Sequence, residues 1–319
     1  MMNTRRDFLK TSGGALAASL LPWNDLFAQA GLVNKVGIQL FSLPKMLDKD
    51  FAGTMQFLSK MGYKEIELFG PYPFSDAAAR ESWSKVTPML GFSGSGYFGK
   101  SAKEIKQILQ DNGLNTPSAH TDLATLLNNM PQLGEAGRAL GFEYVVLPAI
   151  PEDRRKNLDD YKRIIDDFNK IGENAKKEGL KFGYHNHGYG LSKMDGVVPL
   201  ELIMEKTDPN LVFFEMDIYW TTAGGMDPIA LLDKYKNRYH MLHLKDMKEK
   251  KRFSGDGNSS NQWFELFPYM TSAGEGVLGV KEIVEKAKQV GVKHYFVEQD
   301  LVANPDVALK KSIDFIKSV

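Results

Sequence analysis

The chain of 319 residues contains no cysteine. Thiolate metal ligands, cysteine nucleophiles and disulfide bonds are therefore all excluded. An excess of charge is also missing, because 40 Lys and Arg residues balance 40 Asp and Glu residues. Binding to nucleic acid through overall charge consequently has no support, and only a local basic patch is left open. We predict no nucleic-acid partner.

A hydrophobic run long enough to span a membrane is absent as well, and the N-terminus carries other signals. Residues 4–10 read TRRDFLK and resemble a twin-arginine export motif. The apolar residues 13–21 and a small-x-small cleavage site at Ala28-Gln-Ala30 follow. The alternative is an amphipathic leader or an uncleaved anchor. We expect residues 1–30 to be a signal peptide read by the export machinery for folded proteins, and the mature protein to be periplasmic.

Residues 31–319 alternate short apolar runs with amphipathic segments, which is typical of repeated strand–helix units. Eight such units without a second composition regime predict one (β/α)8 TIM barrel. An open doubly wound sheet is the alternative, but no G-x-G-x-x-G follows the first strand. The excursion 70–100, with a helix near 76–86, is long enough to predict a lid or substrate loop. The predicted strands are 36–42, 64–69, 115–120, 144–148, 181–185, 211–216, 240–244 and 294–297.

Four successive predicted strands, the fifth to the eighth, end in residue types that bind metal ions. In a parallel barrel these ends meet on one face. A divalent ion there requires three or four nitrogen or oxygen ligands from different strands. We predict Asp217, His243, Glu298 and the deeper His185 as the ligands of Mn²⁺, Mg²⁺, Zn²⁺ or Co²⁺. Each residue alone is also compatible with a cap or a solvated side chain.

Two neighbouring residues are candidates for acid–base or charge-stabilising roles. His187 shares its side of the strand with His185, so it would face the substrate as an acid/base group. Which of the two imidazoles binds metal is left open, and either could be structural. Lys245, two residues beyond His243, could bind a substrate oxygen or stabilise an enediolate. Its alternative is an ion pair with Asp246.

The predicted substrate contacts come from three other strand ends. His120, at the tip of the third strand, could contact the substrate or make a core hydrogen bond. Glu67 could reach the substrate from the second strand. Trp220 belongs to a group of aromatic residues near the same rim that could stack on a substrate or simply fill the core, together with Phe41, Phe69 and Tyr219.

Four motifs together carry a family resemblance: Tyr184-His-Asn-His187, residues 214–220 (FEMDIYW), His243-Leu-Lys-Asp246 and Gly274-Glu-Gly276. The set resembles the xylose-isomerase-like barrel superfamily, in its sugar phosphate isomerase/epimerase branch. The resemblance implies a TIM barrel with a divalent ion held at Asp217, His243 and Glu298. In the ketose epimerases of this superfamily, a glutamate on strand five is both a ligand and half of a proton-shuttling pair. His185 stands in that place here, which favours inosose-dehydratase-like members.

The resemblance and the strand ends together predict a metal-dependent isomerase or epimerase that acts on a keto-sugar through an enediolate, with Glu298, His187 and Lys245 as catalytic groups. Export favours an unphosphorylated carbohydrate. The alternative outcome is β-elimination by a dehydratase or 3-keto-glycoside lyase. Rivals from other classes are an exported carbohydrate-binding protein and, less favoured, a repair nuclease. No nucleotide cofactor is indicated, and the oligomeric state is left open, with a homo-oligomer among the options.

Overall fold

The computed structural model describes Val33 and residues 35–319, so the predicted signal peptide lies outside the described residues. A closed barrel of eight parallel strands forms its centre, which confirms the predicted TIM barrel. Each strand pairs with the next along the chain, and the last pairs with the first. The strands are β1 (Val36–Gln39), β2 (Glu65–Phe69), β3 (Asn115–His120), β4 (Tyr144–Leu147), β5 (Lys181–His185), β6 (Val212–Asp217), β7 (Tyr239–Leu244) and β10 (His294–Val297), with a separate antiparallel pair, β8 (Asp246–Met247) and β9 (Met270–Thr271).

Helices surround the barrel, and most of them were predicted from the sequence. The longest, Leu158–Lys177, buries one stripe of apolar residues and starts with a capping box made by Asn157 and Asp160. Within the described residues, no helix combines the length and apolar character that a membrane crossing requires. The other α-helices are Pro44–Lys49, Phe51–Met61, Ala77–Leu90, Ala102–Asp111, Leu123–Asn128, Met130–Leu140, Pro199–Lys206, Ile218–Ala223, Pro228–Lys234, Ser260–Leu266, Val280–Gln289 and Pro305–Ser318.

Apolar side chains fill the middle of the barrel and close it from below. Tyr144, Val146, Met241 and Phe296 form this buried cluster. The ring of Phe296 needs a glycine opposite, because a Cβ on Gly37 would lie 2.4 Å from its Cδ1 atom. Since side chains alternate along each strand, the next inward residues lie one layer higher, toward the C-terminal ends of the strands. The polar residues therefore meet above a packed floor.

The carboxylate of Asp246 fixes the loop that contains Gly274-Glu275-Gly276. One of its oxygens, Oδ2, accepts the backbone N–H groups of Gly274 and Gly276 at 3.0 Å each. A Cβ on Gly276 would lie 2.3 Å from the other oxygen, Oδ1, so only glycine fits this approach. Glu275 is exposed and pairs with Lys311 at 2.8 Å. The motif thus turns the chain at the rim and brings no carboxylate into the site.

Candidate active site

The predicted metal ligands on the last three barrel strands do come together. One ligand atom each from Asp217, His243 and Glu298 lies within 4.8 Å of the others, and all three residues are buried. Asp217 pairs in register with His243 on the neighbouring strand, and Glu298 directly follows the last barrel strand, two residues beyond the register partner of His243. This convergence is what parallel strand ends in a barrel produce.

Asp217 directs one oxygen toward the chain and the other toward the site. Its Oδ1 accepts the N–H groups of Tyr219 at 2.8 Å and Trp220 at 3.0 Å, which caps the helix Ile218–Ala223. Its Oδ2 is buried and has no hydrogen-bond partner of suitable geometry among the described residues. Burial raises the pKa of this carboxyl, although the Lys245 ammonium acts against the rise. A buried oxygen of this kind is suited to binding a cation.

His243 connects two layers of carboxylates. Its Nδ1 lies 2.8 Å from Glu298 Oε2, and its Nε2 lies 2.6 Å from Glu67 Oε2 and 3.2 Å from Glu215 Oε2. Burial acts to lower the pKa of this imidazole, but the three carboxylates outweigh burial and raise it well above its ordinary value.

The deeper layer is a compact group of two glutamates and two further histidines. His120 Nε2 lies 2.8 Å from Glu215 Oε2 and 3.1 Å from Glu67 Oε2. Burial acts to lower the pKa of His120, but the same two carboxylates raise it to about 9. Glu67 also accepts a hydrogen bond from Gln39 at 2.7 Å. Because it is fully buried and engaged in this way, Glu67 lies beneath the cavity and not in its lining, where a substrate contact was predicted.

His185 joins this deeper layer. Its Nδ1 lies 3.0 Å from Glu215 Oε2, whereas its Nε2 is 3.9 Å from Asp217 Oδ2. Burial and the nearby His243 lower the pKa of His185 well below its ordinary value, which leaves a neutral ring with one nitrogen facing Asp217. Its role as a fourth ligand stays a prediction.

Lys245 is buried among three carboxylates, with 1% of its surface exposed. Its Nζ lies 2.9 Å from Asp217 Oδ2, 2.6 Å from Glu298 Oε2 and 2.7 Å from Asp300 Oδ2. The alternative of an ion pair with Asp246 is wrong, because Asp246 is committed to the Gly274–Gly276 loop. Burial acts to lower the pKa of Lys245, but the carboxylates outweigh burial and raise it.

The upper triad has the chemistry of a divalent metal site. Two carboxylates and one imidazole suit Mn²⁺, Zn²⁺ or Co²⁺, and Asp217 Oδ2 makes no hydrogen bond of suitable geometry within the described residues. However, the Lys245 ammonium already contacts the same oxygens of Asp217 and Glu298. A metal ion bound by these oxygens would compete with Lys245 for them.

A cavity of about 480 Å³ opens above the triad. His187 is in its wall, with its ring stacked 6.0 Å from that of Trp220 and 4.7 Å from that of Trp263. Its Nδ1 is buried and has no partner among the described residues. Burial and then the Lys245 charge lower the pKa of His187 to about 3, which keeps the ring neutral. Among the residues named above, the lining includes His120, His185, His187, Trp220, Glu298 and Asp300.

Two acidic residues of the site belong to the predicted strand ends but were given no role from the sequence. Glu215 lies two residues before Asp217, and Asp300 lies two residues after Glu298. The two-residue period of a strand could have found Glu215, since residues i and i−2 share a side. Asp300 follows the end of its strand, where that period no longer applies. Burial raises the pKa of Asp300 to about 6, although Lys245 acts against the rise.

The aromatic residues of the predicted rim divide into two groups. Phe41, Phe69 and Trp220 line the cavity. Tyr219 points elsewhere, and its hydroxyl donates to the Leu266 carbonyl at 2.6 Å. The helix Ser260–Leu266, which was not predicted from the sequence, carries Trp263, and this ring also lines the cavity.

Most of the chain matches a known protein family. Residues 55–319 match the family described as Xylose isomerase-like TIM barrel. The chain belongs to this family. The matched segment includes seven of the eight barrel strands and the whole upper triad.

Individual relatives agree on the fold and cover the chain to different extents. An inosose dehydratase from Geobacillus thermodenitrificans (strain NG80-2) is 30% identical over 159 residues, which are 48% of this chain and 52% of that protein. The chain spans about a third to a half of the length of the curated relatives it matches. A sugar phosphate isomerase/epimerase from Parabacteroides distasonis ATCC 8503 is 25% identical, with a TM-score of 0.69 and coverage of 89% of this chain and 94% of that one. The zinc-bound IOLI protein shares the fold, with 14% identity, a TM-score of 0.59 and coverage of 89% and 95%.

Proposed function

We propose that this protein is a divalent-metal-dependent enzyme that removes a proton next to the carbonyl of a keto-sugar or a related cyclic ketone. The observation that carries the proposal is the convergence of Asp217, His243 and Glu298 beneath a cavity. A divalent ion held there would polarise a substrate carbonyl and make the neighbouring C–H group more acidic. The zinc atom in the IOLI structure and the family's sugar-modifying members support the proposal.

The chain's own residues supply the proton transfer and the charge stabilisation. The neutral imidazole of His187 lines the cavity and can accept a proton from a substrate carbon. Lys245 fixes the carboxylates of Glu298 and Asp300 at the cavity floor and places a positive charge where oxygen charge develops. The protonated imidazole of His187 can then return the proton at a neighbouring substrate atom. Glu298 stays ionised, because Lys245 and His243 outweigh the effect of burial and lower its pKa.

Return of the proton gives isomerisation or epimerisation, and this is the first candidate outcome. Dehydration by β-elimination is the second. It is supported by the name of the curated relatives, inosose dehydratase, and by the position of His185. That ring is directed to Glu215 in the deeper layer, so β5 contributes no carboxylate to the cavity as a second base.

The cavity lining favours an unphosphorylated substrate. None of the described residues that line it is a lysine or an arginine. Phosphate groups are normally bound by such side chains or by the N-terminus of a helix. A neutral carbohydrate needs neither.

Hydrogen–deuterium exchange into candidate ketones, followed by NMR in D₂O, tests the reaction. We expect exchange beside the carbonyl for at least one member of a panel that includes an inosose and a 3-ketoglucoside. Chelation should abolish it, Mn²⁺ or Zn²⁺ should restore it, and His187→Gln should slow it by about 10²–10⁴-fold. An unsaturated ketone among the products would identify elimination. Exchange that survives complete metal removal would refute the metal-dependent reaction.

We also propose that the twin-arginine segment directs export to the periplasm. Cell fractionation of the full chain and of an Arg5→Lys, Arg6→Lys variant tests this directly. The native chain should be found in the periplasmic fraction, and the variant should stay in the cytoplasm. Equal distribution of the two proteins would contradict the proposal.

A further inference from the structure

The cavity has two ends of different chemistry. One end carries the polar lining residues His185, His187, Glu298 and Asp300, whereas the other end is mainly apolar. Its volume, about 480 Å³, is within the range of pockets that enclose ligands of drug size. A ligand that fills it should therefore combine a hydroxyl-rich end with an apolar end.

One apolar wall comes from the long excursion after β2. Trp83, on the helix Ala77–Leu90, packs against the rings of Phe41 at 6.3 Å and Phe69 at 6.1 Å. Val86 and Leu90 of the same helix also line the cavity. The helix thus directs an apolar stripe to the cavity, while Met89 of the same helix is 78% exposed and is not among the lining residues.

The second wall comes from the loop after β7. Its helix Ser260–Leu266 carries Trp263 and Phe264, both of which line the cavity. Phe264 is 49% exposed and packs edge-on against Phe267, with 5.2 Å between ring centroids. Large aromatic side chains left open to solvent at a cavity mouth mark a binding surface.

One buried donor near the polar end has no partner among the described residues. It is Nε1 of Trp220, a lining residue whose ring stacks 6.0 Å from that of His187. An unpaired buried N–H group costs about 1–3 kcal/mol unless a ligand accepts from it. Hydroxyl and ring oxygens of a sugar are suitable acceptors.

We propose that the substrate is a glycoside, or its keto form, with a planar apolar aglycone that lies between the walls carrying Trp83 and Phe264. The orientation of the ligand rests on the proposed function, which requires the sugar ring to lie over His187 and Glu298. A free monosaccharide would use the polar floor and leave both walls in water. Flat aromatic walls favour a flat aglycone, because stacked rings bury the most area with little loss of rotamer freedom.

Calorimetric titration of the full chain with paired glycosides tests the proposal without any turnover. The pairs are phenyl and methyl β-glycosides of glucose, galactose and mannose. For at least one sugar, the phenyl glycoside should bind about tenfold more tightly than the methyl glycoside, or better, because the phenyl ring buries apolar area. Trp83→Ala and Phe264→Ala should each reduce this preference to about threefold or less. Met89→Ala, on the exposed side of the same helix, should leave it unchanged.

Equal affinity of the two glycosides, or no binding of either, would overturn the proposal. So would a phenyl preference that survives in both wall variants. Phe264→Ala keeps the test decisive if Trp83→Ala fails to fold, because Phe264 is half-exposed. This test and the deuterium-exchange test can fail independently. A phenyl preference without metal-dependent exchange would support the glycoside substrate and refute the proposed reaction.

Discussion

Replacement of Lys245 by methionine tests whether its ammonium holds the place of a cation in the site. The Nζ atom lies within 2.9 Å of three buried carboxylate oxygens, from Asp217, Glu298 and Asp300. Methionine keeps most of the buried side-chain volume and removes the charge. The three carboxylates then lose this compensating positive charge. An uncompensated buried charge is strongly destabilising.

The expected loss follows from that geometry. Breaking a buried ion pair by removing one partner costs about 3–5 kcal/mol. For a domain of this size, such a loss lowers the unfolding midpoint by about 5–8 °C in chelator. A divalent ion should then replace the missing charge. At a concentration one hundred times its Kd, it contributes about 2.7 kcal/mol. The gain should be smaller in the native chain, because Lys245 competes for the same oxygens.

Thermal unfolding of the full chain in EDTA and in increasing Mn²⁺ or Zn²⁺ measures both effects. Lys281→Met provides the control, because Lys281 is exposed on the helix Val280–Gln289. That variant should behave like the native chain in both conditions. The reasoning is refuted if Lys245→Met unfolds within about 2 °C of the native chain in EDTA. Equal stabilisation of both proteins by metal would refute the competition.

Three further predictions concern the frame that supports the site. Burial and nearby lysines lower the pKa of His240 from 6.5 to about 4. Between these two pH values the unfolded chain binds more protons than the folded chain. The free energy of unfolding should therefore decrease by about 1–3 kcal/mol as the pH falls through this window. His240→Gln, which can keep the hydrogen bond with Tyr144, should flatten the difference in urea-unfolding free energy between pH 7 and pH 4; a parallel slope would count against this assignment. Asp246→Asn should lower the free energy of unfolding by about 2–4 kcal/mol in the same assay, because the asparagine side chain has one acceptor oxygen and cannot accept from all the backbone N–H groups that the carboxylate binds. A loss below about 0.5 kcal/mol would contradict this role. Gly37→Ala should cost about 1–3 kcal/mol because its methyl group would overlap the Phe296 ring, and a neutral effect would show that the ring can move.

The barrel could be predicted because its signals are local and repeated. All eight predicted barrel strands exist, and most of their positions follow from short runs rich in apolar residues, which buried parallel strands require. The exception is β3, which reads NTPSAH and has no apolar run. Helices with long apolar stripes were found for the same reason. The short helices Ile218–Ala223 and Ser260–Leu266 were missed because six or seven residues give too few turns for a periodic signal, and because Asp217 and Ser259, which cap them, are common in loops as well.

The depth of each side chain in the site could not be predicted from the sequence. The strand ends predicted which residues would meet, but a strand end alone does not fix depth. His185 was expected beside Asp217, yet its Nδ1 is turned to Glu215, one layer below. The register between β5 and β6 pairs His185 with Glu215, and register depends on tertiary pairing that spacing along one strand cannot reveal.

The two layers are joined through His243, and this limits what a single substitution at the site can show. One ring nitrogen contacts Glu298 in the upper layer, and the other contacts Glu67 in the lower layer. His243→Ala would therefore remove a candidate metal ligand and also leave a buried glutamate without its closest imidazole. Asp217→Asn is a more selective change, because the asparagine carbonyl can still cap the helix Ile218–Ala223 while the oxygen that faces the site is lost. Loss of metal affinity with an intact fold in Asp217→Asn would thus locate the ion in the upper layer, an assignment that His243→Ala alone could not make.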